Sequence, residues 1–317
     1  MSTTASERPT VLFLAGLGRS GTTLIERVLG ETPGVTALGE VMHLWDRGLA
    51  RGERCACGRL LLECPFWSAV GEAAFGGWRH VDTERMARLK ERVDRTTRIP
   101  SIVARRPGSF AADVDEYVDH FVRLYRAAAQ VAGGTSPVLV DSSKQASLAW
   151  CLARSSEVDL RVVHCVRDSR AVAHSWSKEV RRPEAVSSEH DLMPRYSAPL
   201  VATYWALHNV ASELLGRQVP SIEVRYEDFM IDPVGRTRAM LALAGVDSSP
   251  EHVTSSAVDL GENHSCAGNP MRFKQGRIDL VVDERWRREQ TTRDRRLMTA
   301  LTAPMLRHYG YRSAPDA

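Results

Sequence analysis

The chain predicts an α/β fold: a P-loop-type parallel β-sheet flanked by helices on both faces, with a mostly helical insertion. Three observations carry that expectation. Apolar runs of strand length recur between turn residues, helical patterns alternate with them, and the first run passes through a glycine-rich loop into a helix. Strands buried on both faces read as continuous apolar runs rather than alternating ones, and these runs do.

The elements follow in order. Residues 11–15 form the first strand. Gly16-Leu17-Gly18-Arg19-Ser20-Gly21-Thr22-Thr23 follows, and Leu24, Ile25, Val28 and Leu29 mark the first helix. A short extended segment precedes Glu40. Further strands are expected at 138–140 before Asp141, at 160–166, and at 222–224 before Arg225. The clearest helix is 113–131, with Val114, Tyr117, Phe121, Leu124, Tyr125 and Ala128 on one face. Others are expected at 84–96, 144–155, 168–181, 197–216, 233–244 and 292–308, the last with Leu297, Leu301, Met305 and Leu306 as its apolar positions. Residues 1–317 read as a single domain, with 45–135 inserted. Segment 182–196 is polar with two prolines and reads as a candidate lid loop or as a surface excursion.

Composition removes several function classes. A net charge of +3 is too small to argue for nucleic acid. No apolar stretch is long enough for a membrane span, and the polar first ten residues do not resemble a signal peptide. A cytoplasmic protein with reduced thiols is the expectation. Of 42 basic residues only Lys90, Lys144, Lys178 and Lys274 are lysines, so an arginine at any one site means little and Lys144, inside a motif, stands out. Cys55, Cys57 and Cys64 form C-x-C-x6-C, which suggests zinc but lacks the paired C-x2-C spacing. A fourth ligand would come from His43, His80 or elsewhere; the favoured reading is a packed or redox-sensitive loop with no metal.

Two segments can bind anions. In the first, backbone N–H groups at the loop and the helix N-terminus converge on negative charge. A triphosphate-binding loop would carry lysine where Thr22 stands. In the second, strand again runs into helix: Arg167 ends the strand, and Ser175 lies eight residues on, about two helical turns away. A guanidinium there can grip a phosphate bidentately. Taken alone, a surface salt bridge explains Arg167 as well. Ala171, six after Cys165, excludes the Cys-x5-Arg pattern of cysteine phosphatases.

Read together, these segments resemble the sulfotransferases that use 3′-phosphoadenosine 5′-phosphosulfate (PAPS). Arg19-Ser20-Gly21-Thr22-Thr23 is similar to that family's 5′-phosphosulfate loop, and Arg167 with Ser175 to its 3′-phosphate segment. Arg225-Tyr226-Glu227-Asp228-Phe229 resembles the stretch whose tyrosine lies near the adenine. Asn269-Pro270-Met271-Arg272-Phe273 resembles the late loop that closes over the nucleotide. The resemblance implies a cofactor site of Gly18, Arg19, Ser20, Gly21, Thr22, Thr23, Arg167, Ser175, Tyr226 and Arg272, with PAPS as donor, PAP (adenosine 3′,5′-bisphosphate) as product, and no metal required.

The resemblance further implies that Glu40 is the general base, as in the tyrosylprotein and glycan branch; a helix cap is the alternative. The cytosolic branch uses a histidine, which leaves His43 or His190 open. Lys144 is expected to neutralise charge on the sulfuryl or bridging oxygen, with Arg19 completing the clamp. His264 or Ser265 is expected near the sulfuryl group. Trp45, Trp78 and Trp176 could line an acceptor pocket, although core packing suits at least two of them, and Trp286 reads as a packed aromatic. The expected partner is a small-molecule hydroxyl: a phenol, a sugar or a natural product. Rival readings are a kinase using ATP and magnesium, with Asp141 as metal ligand, and a non-catalytic nucleotide-binding protein.

Overall fold

A computed structural model of the chain describes residues 8–134, 137–182 and 192–311. Five strands, β1 (Thr10–Ala15), β2 (Val35–Gly39), β3 (Val138–Lys144), β4 (Asp159–Val166) and β5 (Ser221–Arg225), form one parallel sheet in the order β2-β3-β1-β4-β5. The central strand shows why the apolar runs are continuous: Val11, Phe13 and Ala15 enter one core while Leu12 and Leu14 enter the other.

The second face carries α1 (Thr22–Gly30) and, after β5, α9 (Tyr226–Ile231) and α10 (Pro233–Leu243), with the hairpin β6 (Ala257–Leu260) and β7 (Gly276–Asp279). The first face carries the insertion, α2 (Pro65–Phe75), α3 (Thr83–Val93), α4 (Ile99–Ala104) and α5 (Ser109–Ala132), then α6 (Ala146–Leu152) and α8 (Ala198–Gly216). A third cluster packs α7 (Ser169–Ser177) and α8 against α12 (Thr292–His308); α11 (Trp286–Glu289) adjoins α7. None of the described helices is long and apolar enough to cross a membrane.

The α/β class is as expected, and the boundaries differ for physical reasons. β3 continues four residues past its apolar part, to Lys144, because Asp141, Ser142 and Ser143, all buried, find hydrogen-bond partners. α6 therefore starts at Ala146 instead of residue 144. α7 stops at Ser177, where Lys178 is extended, and not at 181. The hairpin β6–β7 and helix α2 were not anticipated; strands of four residues carry too little periodicity to read. Of the candidate lid, residues 183–191, with His190, lie outside the described residues. Its flanks pair, Arg181 with Leu192.

β1 lies between β3 and β4. The chain leaves it one way toward β2 and β3 and the other way toward β4 and β5, so the carboxyl edge beside β1 is the topological switch point where open α/β sheets bind ligands.

Candidate functional site

The glycine-rich loop sits at that switch point. Gly16 (φ +143°) passes so close to β4 that a Cβ there would lie 2.4 Å from the Cys165 carbonyl oxygen. Arg19 and Gly21 are both left-handed (φ 77° and 85°), a turn that reverses the chain into α1. Gly21 caps α1 without a side-chain hydrogen bond, so no side chain occupies the helix N-terminus, an end that favours an anion. The Trp176 indole N–H donates to the Gly18 carbonyl at 3.0 Å, and the Arg19 guanidinium lies 5.0 Å above that indole. Ser20, Thr22 and Thr23 are buried beneath the loop.

Glu40 follows β2, and Lys144 ends β3. The structure joins them as an ion pair. β3 carries one extra residue relative to β1 between Asp141 and Lys144, and Lys144 takes a left-handed φ of 67°. Such an irregularity re-aims a side chain. Burial would raise the Glu40 carboxyl, but Lys144, His43 and Arg47 outweigh it and bring it down to about 2. His43 Nε2 lies 3.9 Å from Glu40 Oε2. Burial and then Lys90 push the imidazole below its ordinary value, against Asp46 and Glu40, which hold it up.

On the other side of β1, Arg167 follows β4. Its guanidinium lies 4.4 Å above the Tyr226 ring, donates to the Arg19 carbonyl at 3.0 Å and faces Asp283 at 3.8 Å. Tyr226 packs beneath the loop, where a Gly21 Cβ would lie 2.4 Å from its ring. Arg19, Arg167 and Tyr226 thus form one assembly, with Ser175 half-buried on α7 beside Trp176.

Two expectations about side chains are corrected, and one residue of the rival reading is placed. Arg272 is fully buried and points inward: its guanidinium donates to the Ser265 and Arg54 carbonyls, so it shapes the late loop and does not join Arg167. The Ser265 hydroxyl donates to Glu26 at 3.1 Å, and His264 faces Cys55 and Cys64, so neither points toward the Glu40–Lys144 pair. Asp141, the metal ligand of the rival kinase reading, is fully buried, with its oxygens accepting from the Tyr125 hydroxyl and the Ser143 amide. The fourth group at the cysteines is His264, not His43 or His80. Trp45 and Trp78 pack with Phe75 inside the insertion, and Trp286 is buried between Arg170 and Arg287.

Sequence reasoning missed Glu26 and Arg27. The buried Glu26 carboxylate accepts from the Gly39 amide, the Ser142 hydroxyl and the Ser265 hydroxyl, joining α1, β2, β3 and the late loop. Burial pushes its carboxyl up to about 7 against those hydrogen bonds. Arg27 holds the carbonyls of Gly261, Arg272 and Lys274. The available signal was spacing: Glu26 lies three and four residues after Thr23 and Thr22, on the face toward the sheet.

The donor set fits a nucleotide with anions at two separated points. Arg19 Nε and Arg167 Nε are buried without hydrogen-bond partners among the described residues, and Lys144 pairs with Glu40 at the end of the neighbouring strand.

No protein-family model matches the chain, and no curated protein matches it. Solved structures do. The sulfotransferase domain from the Synechococcus PCC 7002 olefin synthase superposes with TM-score 0.52 at 19% identity, covering 98% of each chain. The sulfotransferase domain from the curacin biosynthetic pathway superposes with TM-score 0.53 at 12% identity, over 96% of this chain and 98% of that one. At such identity the likeness is one of fold: the chain has a sulfotransferase-like architecture over nearly its whole length.

Proposed function

We propose that the chain is a PAPS-dependent sulfotransferase acting on the hydroxyl of a small-molecule acceptor, a phenol, a sugar or a natural product. The observation that carries the reading is the Glu40–Lys144 ion pair at the mouth of an anion loop whose far side ends in Arg167 over Tyr226. A base, the cation paired with it and two anion grips then share one sheet edge. PAPS, when bound, supplies an activated sulfuryl group on a phosphate leaving group.

The residues divide the work. Gly18, Ser20, Gly21, Thr22 and Thr23 bind one anionic group through the loop and the α1 N-terminus; Arg167, with Ser175 nearby, binds the other. Tyr226 supplies an aromatic face beside both. Glu40, held at about 2 while Lys144 neutralises it, is ionised but weakly basic. An anion in the loop attracts Lys144 away, and the carboxylate then gains basicity and takes the acceptor's proton. Lys144 and Arg19 stabilise negative charge developing at the loop.

The test is calorimetric titration with PAP and, separately, with ATP and magnesium, followed by transfer from a radiolabelled sulfuryl donor to a panel of hydroxylated acceptors. PAP binding without a magnesium requirement and label transfer to at least one acceptor are expected. Tight magnesium-dependent ATP binding with none to PAP overturns the reading in favour of the kinase.

A further inference from the structure

Cys55, Cys57, Cys64 and His264 form a cluster that the proposed transfer chemistry does not use. Their three sulfurs and one ring nitrogen all lie within 4.8 Å of one another, although the histidine is about 200 residues from the cysteines. We infer that these four residues bind a structural zinc ion.

The backbone around each ligand is already set. Residues 54–60 form a tight hairpin: the Cys55 amide donates to the Arg59 carbonyl, the Gly58 amide donates back to Cys55, and Gly58 adopts φ 86° at the turn. This places Cys55 and Cys57 on one knuckle. Cys64 stands immediately before Pro65 at the start of α2, where the helix N-terminus favours a thiolate. His264 is fixed twice by the residues that follow Cys64. Its ring stacks on Phe66 at 5.4 Å and 7°, and its carbonyl accepts from the Trp67 indole at 2.6 Å. The result aims Nδ1 at the thiols, 3.3 Å from Cys64 and 3.9 Å from Cys55.

Those spacings match tetrahedral zinc. A Zn–S bond of about 2.3 Å places neighbouring sulfurs about 3.8 Å apart, so a small contraction around one ion satisfies all four groups. A disulfide would engage two sulfurs and leave the third thiol and the oriented imidazole unexplained. Three soft thiolates and one imidazole select zinc over magnesium or calcium. Four protein ligands also close the coordination sphere, which makes the ion structural and excludes it from the transfer chemistry.

The site fastens the insertion to the late loop. Directly after His264, the Ser265 carbonyl accepts from the Ala56 amide, the Cys266 amide donates to Leu38, and the Ala267 carbonyl accepts from the Glu40 amide. Zinc would therefore hold the backbone that walls Glu40. The inference stands whether or not the transfer reading does, because its readouts are metal content and spectroscopy.

The test uses the full chain, expressed with zinc and purified reduced. Elemental analysis is expected to give one zinc per chain. Exchange with cobalt(II) is expected to give the intense visible bands of a tetrahedral site with thiolate charge-transfer absorption. Cys57→Ser, at the half-buried ligand, and His264→Ala are expected to lose most of the zinc. If either variant fails to fold, the cobalt spectrum of the unsubstituted protein still decides. Folded, reduced protein that retains no stoichiometric zinc after reconstitution, or a chain isolated with a Cys55–Cys64 disulfide that refuses cobalt, overturns the site.

Discussion

Arg167 and Arg272 are both expected at the cofactor site, and the structure places them differently. Arg167 follows a parallel strand at the switch point, lies over Tyr226, donates to the carbonyl of Arg19 in the glycine-rich loop and faces Asp283. Arg272 sits in the late loop at zero exposure, with backbone carbonyls on its guanidinium. A strand end at the carboxyl edge faces a crevice by construction, whereas a loop folded back over α1 must satisfy its own backbone first. The lesson is that residue type and order indicate a cation without saying whether its partner is a ligand or a carbonyl.

The comparison can be broken at several points. The largest effect should come from Glu40, the proposed base. Glu40→Gln should lower turnover about 10²–10⁴-fold while PAP affinity changes little, as read by steady-state rates beside calorimetry. Full activity would remove Glu40 as the base. Lys144→Ala adds a sign: without the ammonium, Glu40 rises from about 2, so the acid limb of kcat/KM should move to higher pH than in the parent.

Next in size, Arg272→Ala should destabilise the fold by about 3–5 kcal/mol in denaturant melts, since two carbonyls lose a charged donor in a fully buried place. Arg167→Ala should shift the balance, with a smaller loss of stability than Arg272→Ala and PAP binding weakened on the order of 10²-fold. Equal loss of stability in both variants would erase the distinction between them.

The smallest and most specific effect concerns Glu26. Its carboxyl is raised from 4.5 to about 7, so the folded state prefers the protonated form. The stability it confers is complete below the unfolded value near 4.5 and is lost as pH rises through about 7, on the order of 3 kcal/mol in total. Glu26→Gln should flatten stability between pH 5 and 8, measured by melts across that range. A parent chain whose stability does not fall over this interval would show that Glu26 is ionised in the fold.

The α/β alternation, the loop after β1, and Glu40, Lys144 and Arg167 as chemical candidates were legible in the sequence. Apolar run length, glycine spacing and strand-to-helix junctions are local properties, and the carboxyl edge of a parallel sheet gathers whatever follows each strand. The pairing of Glu40 with Lys144, the inward turn of Arg272, the partners of Glu26 and the meeting of His264 with three cysteines were decided by tertiary structure alone. Each depends on segments brought together from distant parts of the chain. A buried polar group must find a partner wherever the fold supplies one, and spacing along the chain carries no record of that partner.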